Sequence, residues 1–410
     1  MEKNNHKRDI LLYVATILFF YLLQTLIIYF IAKQYGTDGE TIQLFGGGDD
    51  GAEYWQQIKN NFMYGNVSYI NATKTWYVPL MSFLVQLAGV ASPLIVRIAN
   101  IIALTCMVVG ILKIIGLIEN ELSTELFNVK KKMMLVIFFY PSLIYLLFSI
   151  YRDYWIYMFM VWSVFFGAKW VVSNNVFSFI QFVICTFFLY HFRGYAAAAV
   201  LLAIFISKII INKSSKSIRN IMYIGLFLFF IWYTFFINFN VPYLDLSLLN
   251  AIKYRDGMYL SGDQYVLLRS GASDFGVPFS ANFFPLFIVQ YVYSVLVNFA
   301  GPFFWQIKSM GTLIGFVESI FIVTVMINYF KIEKWKRQKV LSESKVLRIL
   351  LIQSIVWFGA IGLTNKNLGT AIRLRVPGIL FVLIIVFTVA YVARKKFSDE
   401  KKYNMKKYFD

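Results

Sequence analysis

The sequence is poor in cysteine, histidine and charge. Its 410 residues include two cysteines and two histidines. Cys106 and Cys185 fall inside apolar runs, which argues against a disulfide framework or a cysteine metal cluster. His6 and His191 are too few for a histidine-based metal site. Charged residues make up 15% of the chain, against about 25% in a soluble domain. Acidic residues are the scarcer sign, 21 against 39 basic, giving a formal net charge of +18. In a soluble protein that excess would suggest nucleic acid. No nucleic-acid motif accompanies it, and cytoplasmic loops of membrane proteins collect Lys and Arg. Nucleic acid is not an expected partner. P-loop, dinucleotide, HExxH and Ser/His/Asp patterns are also missing, as are internal repeats. Cytosolic nucleotide chemistry is therefore not expected.

What is present is apolar. Hydrophobic residues make up 59% of the chain, and the mean hydropathy is +0.64. The fold class this implies is all-α, a polytopic membrane protein in a lipid bilayer. Hydropathy gives about ten spans: 10–32, 93–117, 133–150, 154–172, 177–192, 195–211, 220–240, 311–330, 347–364 and 377–393. The first is long enough to span and reads as an anchor, not a cleaved signal. The run 177–211 exceeds one span. It is broken at His191-Phe192-Arg193-Gly194, since a charge and a glycine sit best at a membrane surface. The whole chain, 1–410, reads as one transmembrane domain. Two long loops, 33–92 and 241–310, each hold a stretch too short to span, at 76–91 and 283–305. These read as interfacial amphipathic helices. Residues 395–410 form a basic tail.

Threading the charges gives a topology. With both termini in the cytoplasm, ten spans put 26 Lys and Arg inside and 13 outside, as the positive-inside rule requires. Five of the inner 26 are Arg, but seven of the outer 13 are. Arginine's planar fork suits bidentate grip on phosphate or carboxylate, so this contrast points to an anionic ligand at the outer face. The Lys, Asn, Ile and Phe richness suggests a bacterial plasma membrane, where the sequons at Asn66 and Asn71 are chance matches.

Several constellations have the residue types for chemistry. Gly46 to Tyr54 contains Asp49, Asp50 and Glu53 among four glycines. Such a loop suits a general base or a divalent metal, Mg or Mn, at Asp49 and Asp50; it also suits a solvated turn. Arg152-Asp153 ends the third span, either as a functional pair or as an interfacial ion pair. Arg373 and Arg375 stand two apart in a turn that includes Asn367. Two guanidiniums there repel unless an anion or carboxylate lies between them. Arg97 and Asn100 follow Ser92-Pro93, a helix start. Arg193 follows the fifth span. Glu318 sits near the middle of the eighth, a functional carboxylate or one packed against another helix.

The order of these features resembles the polytopic glycosyltransferases of the GT-C fold class, of the kind found in bacterial capsule and exopolysaccharide gene clusters. The residues that carry the resemblance are Asp49-Asp50-Gly51-Ala52-Glu53-Tyr54, Tyr77 to Leu84, Gly89 to Asn100, Pro141-Ser142-Leu143, Arg152-Asp153 and Asn367 to Arg373. The last departs from the family pattern, reading Arg-Leu-Arg where Arg-His-Arg is expected. The resemblance implies a polyprenyl-(di)phosphate-linked saccharide donor, a glycan acceptor, an external active site and an acidic catalytic residue in the first loop. On that footing Asp50 is the base, with Asp49 and Glu53 as alternates. Arg373, Arg375, Arg152, Arg193 and Arg97 are the phosphate-binding set. Asp153, Asn100, Asn367 and Glu318 support them. Single-sugar transfer and repeat-unit polymerisation both fit, alongside other membrane proteins of polysaccharide synthesis. Competing readings are a flippase or exporter of lipid-linked oligosaccharide and a non-catalytic scaffold. Sparse mid-span charge and the lack of repeats favour the enzyme.

Overall fold

A computed structural model describes residues 2–42, 50–65, 75–211, 225, 255, 258–261, 264–267, 274–275, 277–280 and 283–409. The expected span 220–240, Asp49, and parts of both long loops lie outside the described residues.

The described chain is helical apart from a short hairpin, β1 (Met258–Ser261) with β2 (Gln264–Leu267). Six helices are long and apolar enough to cross a membrane. Five of them are α1 (Glu2–Gln34), α4 (Pro93–Leu122), α7 (Asp153–Ser173), α11 (Met310–Phe330) and α13 (Lys345–Thr364). The sixth is α14 (Leu368–Phe409), whose spanning part is Leu368–Lys396. A seventh crossing arises if α5 (Phe127–Phe139) and α6 (Pro141–Tyr145), with the 3₁₀ turn Leu146–Phe148, count as one span. Those two helices bend by 41° at Pro141. The expectation of ten spans is thus corrected to six, or seven, among the described residues. The difference lies in helix length. Apolar helices α8 (Val176–Phe192) and α9 (Gly194–Ile210) have 17 residues each. That is about 25 Å at 1.5 Å per residue, at the lower limit for a crossing helix. The break between them falls where expected, with Arg193 in extended backbone.

Local signals set the helix ends. The Ser92 side chain accepts the Leu94 N–H at 3.3 Å and Pro93 opens α4, as the sequence suggested. The Asn175 side chain caps α8 by accepting from Phe177 and Ser178. Between the spans lie α2 (Asp50–Tyr64), α3 (Tyr77–Ala88), α10 (Phe284–Ala300) and α12 (Lys334–Glu343).

The helix α10 corrects a second expectation. It does not lie flat at an interface. The Tyr291 hydroxyl donates to the Gly359 carbonyl at 3.1 Å, Ser294 to Gly362 at 2.8 Å, and the Asn298 amide to Asn365 at 3.3 Å. Those pairs advance in step, so α10 runs beside α13 and parallel to it.

The spanning part of α14 is the centre of the bundle, 78% buried, whereas only 17% of α1 is. Both helices are apolar. One spends that surface on neighbouring helices, the other on lipid. Gly315 lets α11 close on α14: a Cβ there would lie 2.3 Å from Ile372.

Candidate functional site

Four chain segments meet at one end of the bundle, each supplying a charge. Asp50 opens α2. Asp153 opens α7, where the helix dipole favours a carboxylate. Arg193 joins α8 to α9, and Arg373 lies in the second turn of α14. Arg373 Nη2 donates to Asp50 Oδ2 at 3.1 Å. Its Nη1 lies 3.6 Å from Asp153 Oδ2, and Arg193 Nη1 lies 3.8 Å from Asp153 Oδ1. Those last two separations are ion-pair distances, too long for hydrogen bonds. Asp153 Oδ1 is buried without a hydrogen-bond partner. Asp153 therefore holds two like charges near each other while keeping hydrogen-bonding capacity unused. The two carboxylates differ in access: the Asp50 side chain is 55% exposed and that of Asp153 is 3%.

Tyrosines line the cluster. The Arg373 guanidinium sits 4.8 Å over the Tyr151 ring, Arg193 5.4 Å over Tyr195 and Arg152 5.7 Å over Tyr54. Among the described residues Arg152 makes no ion pair. Among the described residues of the cluster, three guanidiniums face two carboxylates. Burial works to lower the Arg193 pKa, but Tyr195 and Asp153 outweigh it and hold the group above its ordinary value. Burial raises the Tyr54 hydroxyl more than Arg152 lowers it, so that phenol stays a neutral donor.

Backbone features place these groups. Asp50 is brought in by Gly51, where a Cβ would lie 2.1 Å from Ser149 Oγ; only glycine lets α2 sit this close to residues 149–150. Arg373 is fixed by a proline. Pro377 has no N–H for the Arg373 carbonyl one turn earlier. The Tyr157 hydroxyl donates to that carbonyl at 2.5 Å instead, tying α7 to α14 beside the cluster. The Asn100 amide donates to the Tyr151 carbonyl at 3.0 Å, and its oxygen accepts from Trp155 at 3.0 Å, fixing the turn before Asp153. Asn367 caps α14 by accepting from the Thr370 N–H at 3.1 Å. Beside it Lys366 pairs with Asp274 at 3.1 Å, pinning the second long loop to the start of α14.

Other expected site residues lie elsewhere. Arg97 donates to the carbonyls of Gly39 (3.0 Å), Glu40 (2.7 Å) and Leu147 (2.5 Å), clasping two loops. Arg375 is fully buried, with Nε 2.8 Å from Glu318 Oε1. It also donates to the carbonyls of Gly301 and Gly315 and to Ser319 Oγ. Glu318 accepts from the hydroxyls of Tyr140 and Ser142, which flank the bend at Pro141. Arg375 therefore has no donor turned to the cluster. Two residues apart on a helix is about 200° of rotation, which sends the two arginines to different neighbours. Glu53 is exposed and accepts from Gln57 at 3.3 Å.

Compared with known proteins, the chain matches no family model, no curated protein and no solved structure. The site therefore has to be read from its own geometry.

A divalent metal was expected at Asp49 and Asp50. Among the described residues no three His, Cys, Asp or Glu gather to hold an ion. The Asp50 carboxylate faces a guanidinium instead. Asp49, the other expected ligand, lies outside the described residues. The sequence pointed to Asp50, Asp153, Arg152, Arg193 and Arg373, which the structure brings together. It gave no role to Tyr151, Tyr157 or Tyr195. Tyr151 and Tyr195 stand in the short turns that carry Arg152-Asp153 and Arg193, which was the available signal; for Tyr157 there was none.

Proposed function

We propose that this protein is a membrane glycosyltransferase of the GT-C kind. It would act at the outer face of a bacterial plasma membrane, in cell-surface polysaccharide synthesis. The donor is a saccharide on a polyprenyl phosphate or diphosphate, and the acceptor is a glycan hydroxyl. The observation that supports this reading most is the pairing of the exposed Asp50 carboxylate with the Arg373 guanidinium at the site end. Displacement of a phosphate leaving group by a hydroxyl uses a base and a cation, and this pair supplies both residue types at one site.

In this mechanism Asp50 takes the proton of the acceptor hydroxyl. The acceptor oxygen bonds to the anomeric carbon, and the bond from that carbon to the phosphate oxygen breaks. The phosphate leaves with the electron pair. Arg373, Arg152 and Arg193 meet the growing negative charge. As Asp50 gains a proton it loses its hold on Arg373, freeing that guanidinium for the leaving group. Glu318 and Arg375 form a closed pair with no exposure, unlike an open polar pathway for a transporter.

The test is in-vitro transfer from purified polyprenyl-linked donors. Asp50→Asn should lower turnover by about 10²–10⁴-fold, the usual worth of a general base. Folded Asp50→Asn protein with undiminished transfer would remove the assignment.

A further inference from the structure

A second feature lies at the opposite end of the bundle and owes nothing to the glycosyltransferase reading. An apolar cavity of about 440 Å³ opens between α10, α11, α13 and α14. Its wall includes Val292, Leu296 and Ile355, which are 50%, 51% and 64% exposed. The cavity thus opens sideways, at bilayer depth. Tyr329, at the end of α11, lines it. That same tyrosine lies under the Arg337 guanidinium at 5.0 Å, with Phe330 also at 5.0 Å.

Arg337 is unusual among the charges of α12. Glu333 is taken by Lys336 and by the Trp335 indole. Arg337 makes no ion pair among the described residues, and its Nε is buried without a hydrogen-bond partner. Lys331 and Lys334 stand exposed on the same turn, and Trp335 is 50% exposed. Tryptophan and basic residues at the end of a membrane helix mark headgroup level. One tyrosine therefore joins a guanidinium that has no carboxylate partner among the described residues, at headgroup depth, to an apolar cavity at chain depth.

We propose that this is a binding site for an anionic glycerophospholipid of the surrounding bilayer. Its phosphate sits on Arg337, with Lys331 and Lys334 beside it, and an acyl chain fills the cavity. A soluble phosphate compound gives the cavity no use, a neutral lipid gives the cation none, and a zwitterionic lipid brings a second positive charge beside Lys331 and Lys334. The glycosyl donor is not the occupant, because the Asp50 cluster lies at the other end of the same helices.

Native mass spectrometry of the purified full chain tests this, with phosphatidylglycerol, phosphatidylcholine and polyprenyl phosphate added at equal concentration. Phosphatidylglycerol should be retained over phosphatidylcholine by about fivefold, the worth of one basic residue at an anionic lipid surface. Arg337→Gln should lower that ratio toward one, with Lys331 and Lys334 holding what is left, and Arg337→Lys should keep more of it. Ser354→Phe, which fills the cavity, should lower retention of both. Equal retention by the natural protein, an unchanged ratio in Arg337→Gln, or preference for polyprenyl phosphate would overturn the proposal. Should the variants not fold, phosphatidylglycerol with a photoreactive acyl chain can label the natural protein. Labelling is expected within 351–359; labelling confined elsewhere overturns the proposal.

Discussion

Arg373 and Arg375 carry the same side chain two positions apart, and the fold gives them opposite work. Arg373 keeps one hydrogen bond to an exposed carboxylate. Arg375 has its donors engaged inside the protein, on Glu318, Ser319 and two carbonyls. Removing one member of a buried ion pair leaves an uncompensated charge and costs about 3–5 kcal/mol. Arg375→Met should therefore lower the detergent melting temperature sharply, while Arg375→Met combined with Glu318→Met should recover part of the loss. Thermal unfolding followed by size-exclusion fluorescence checks this; an additive double variant would show that the pair is not coupled. The sequence placed both arginines beside an expected carboxylate or anion. It did not supply Glu318 as the partner of Arg375, because the two are separated by 57 residues and meet only through helix packing.

At the scale of the element, α2 and α14 decide the site. The contact of α2 at Gly51 with Ser149 and Ile150 leaves no room for a side chain. Gly51→Val should push the start of α2 away and break the Asp50–Arg373 pair. Transfer activity should fall by at least about tenfold while thermal stability drops only modestly, since most of α2 remains packed. Activity equal to the natural protein would show that the pair is not needed. The sequence displayed the glycines as a flexible loop and did not reveal that Asp50 begins a helix. Gly-Gly-Gly-Asp-Asp-Gly has low helix propensity, and the apolar face that stabilises α2, with Trp55 and Ile58 buried, becomes visible only from 54 onward. Likewise α10 read as interfacial because it is amphipathic and short. Its polar residues, Ser294 and Asn298, in fact bond to the carbonyls at the end of α13.

For the whole molecule, hydropathy located the helices well and counted the crossings badly. Each of the nine expected spans within the described residues corresponds to an apolar helix or to the bent pair. Hydropathy weighs helix length only loosely, and α8 and α9, at 17 residues each, stand at the lower limit for crossing. The charge threading depended on that count. It retains a direct check: cysteine substitutions Asp50→Cys and Thr370→Cys should react with an impermeant maleimide on intact cells, and Trp335→Cys only after permeabilisation. The reverse pattern would move the site to the cytoplasm. The two native cysteines, within α4 and α8, serve as the background control.

The central position of α14 bears on how the protein is made. Glu318 leaves the ribosome 57 residues ahead of Arg375. At about 5–20 residues per second that is roughly 3–11 s of synthesis. During this interval α11 is available for insertion with its carboxylate still lacking its cation. The helices α5, α7, α11 and α13 that pack on α14 are made before it. A ribosome stalled before residue 375 would leave the Glu318 carboxylate of α11 without its guanidinium.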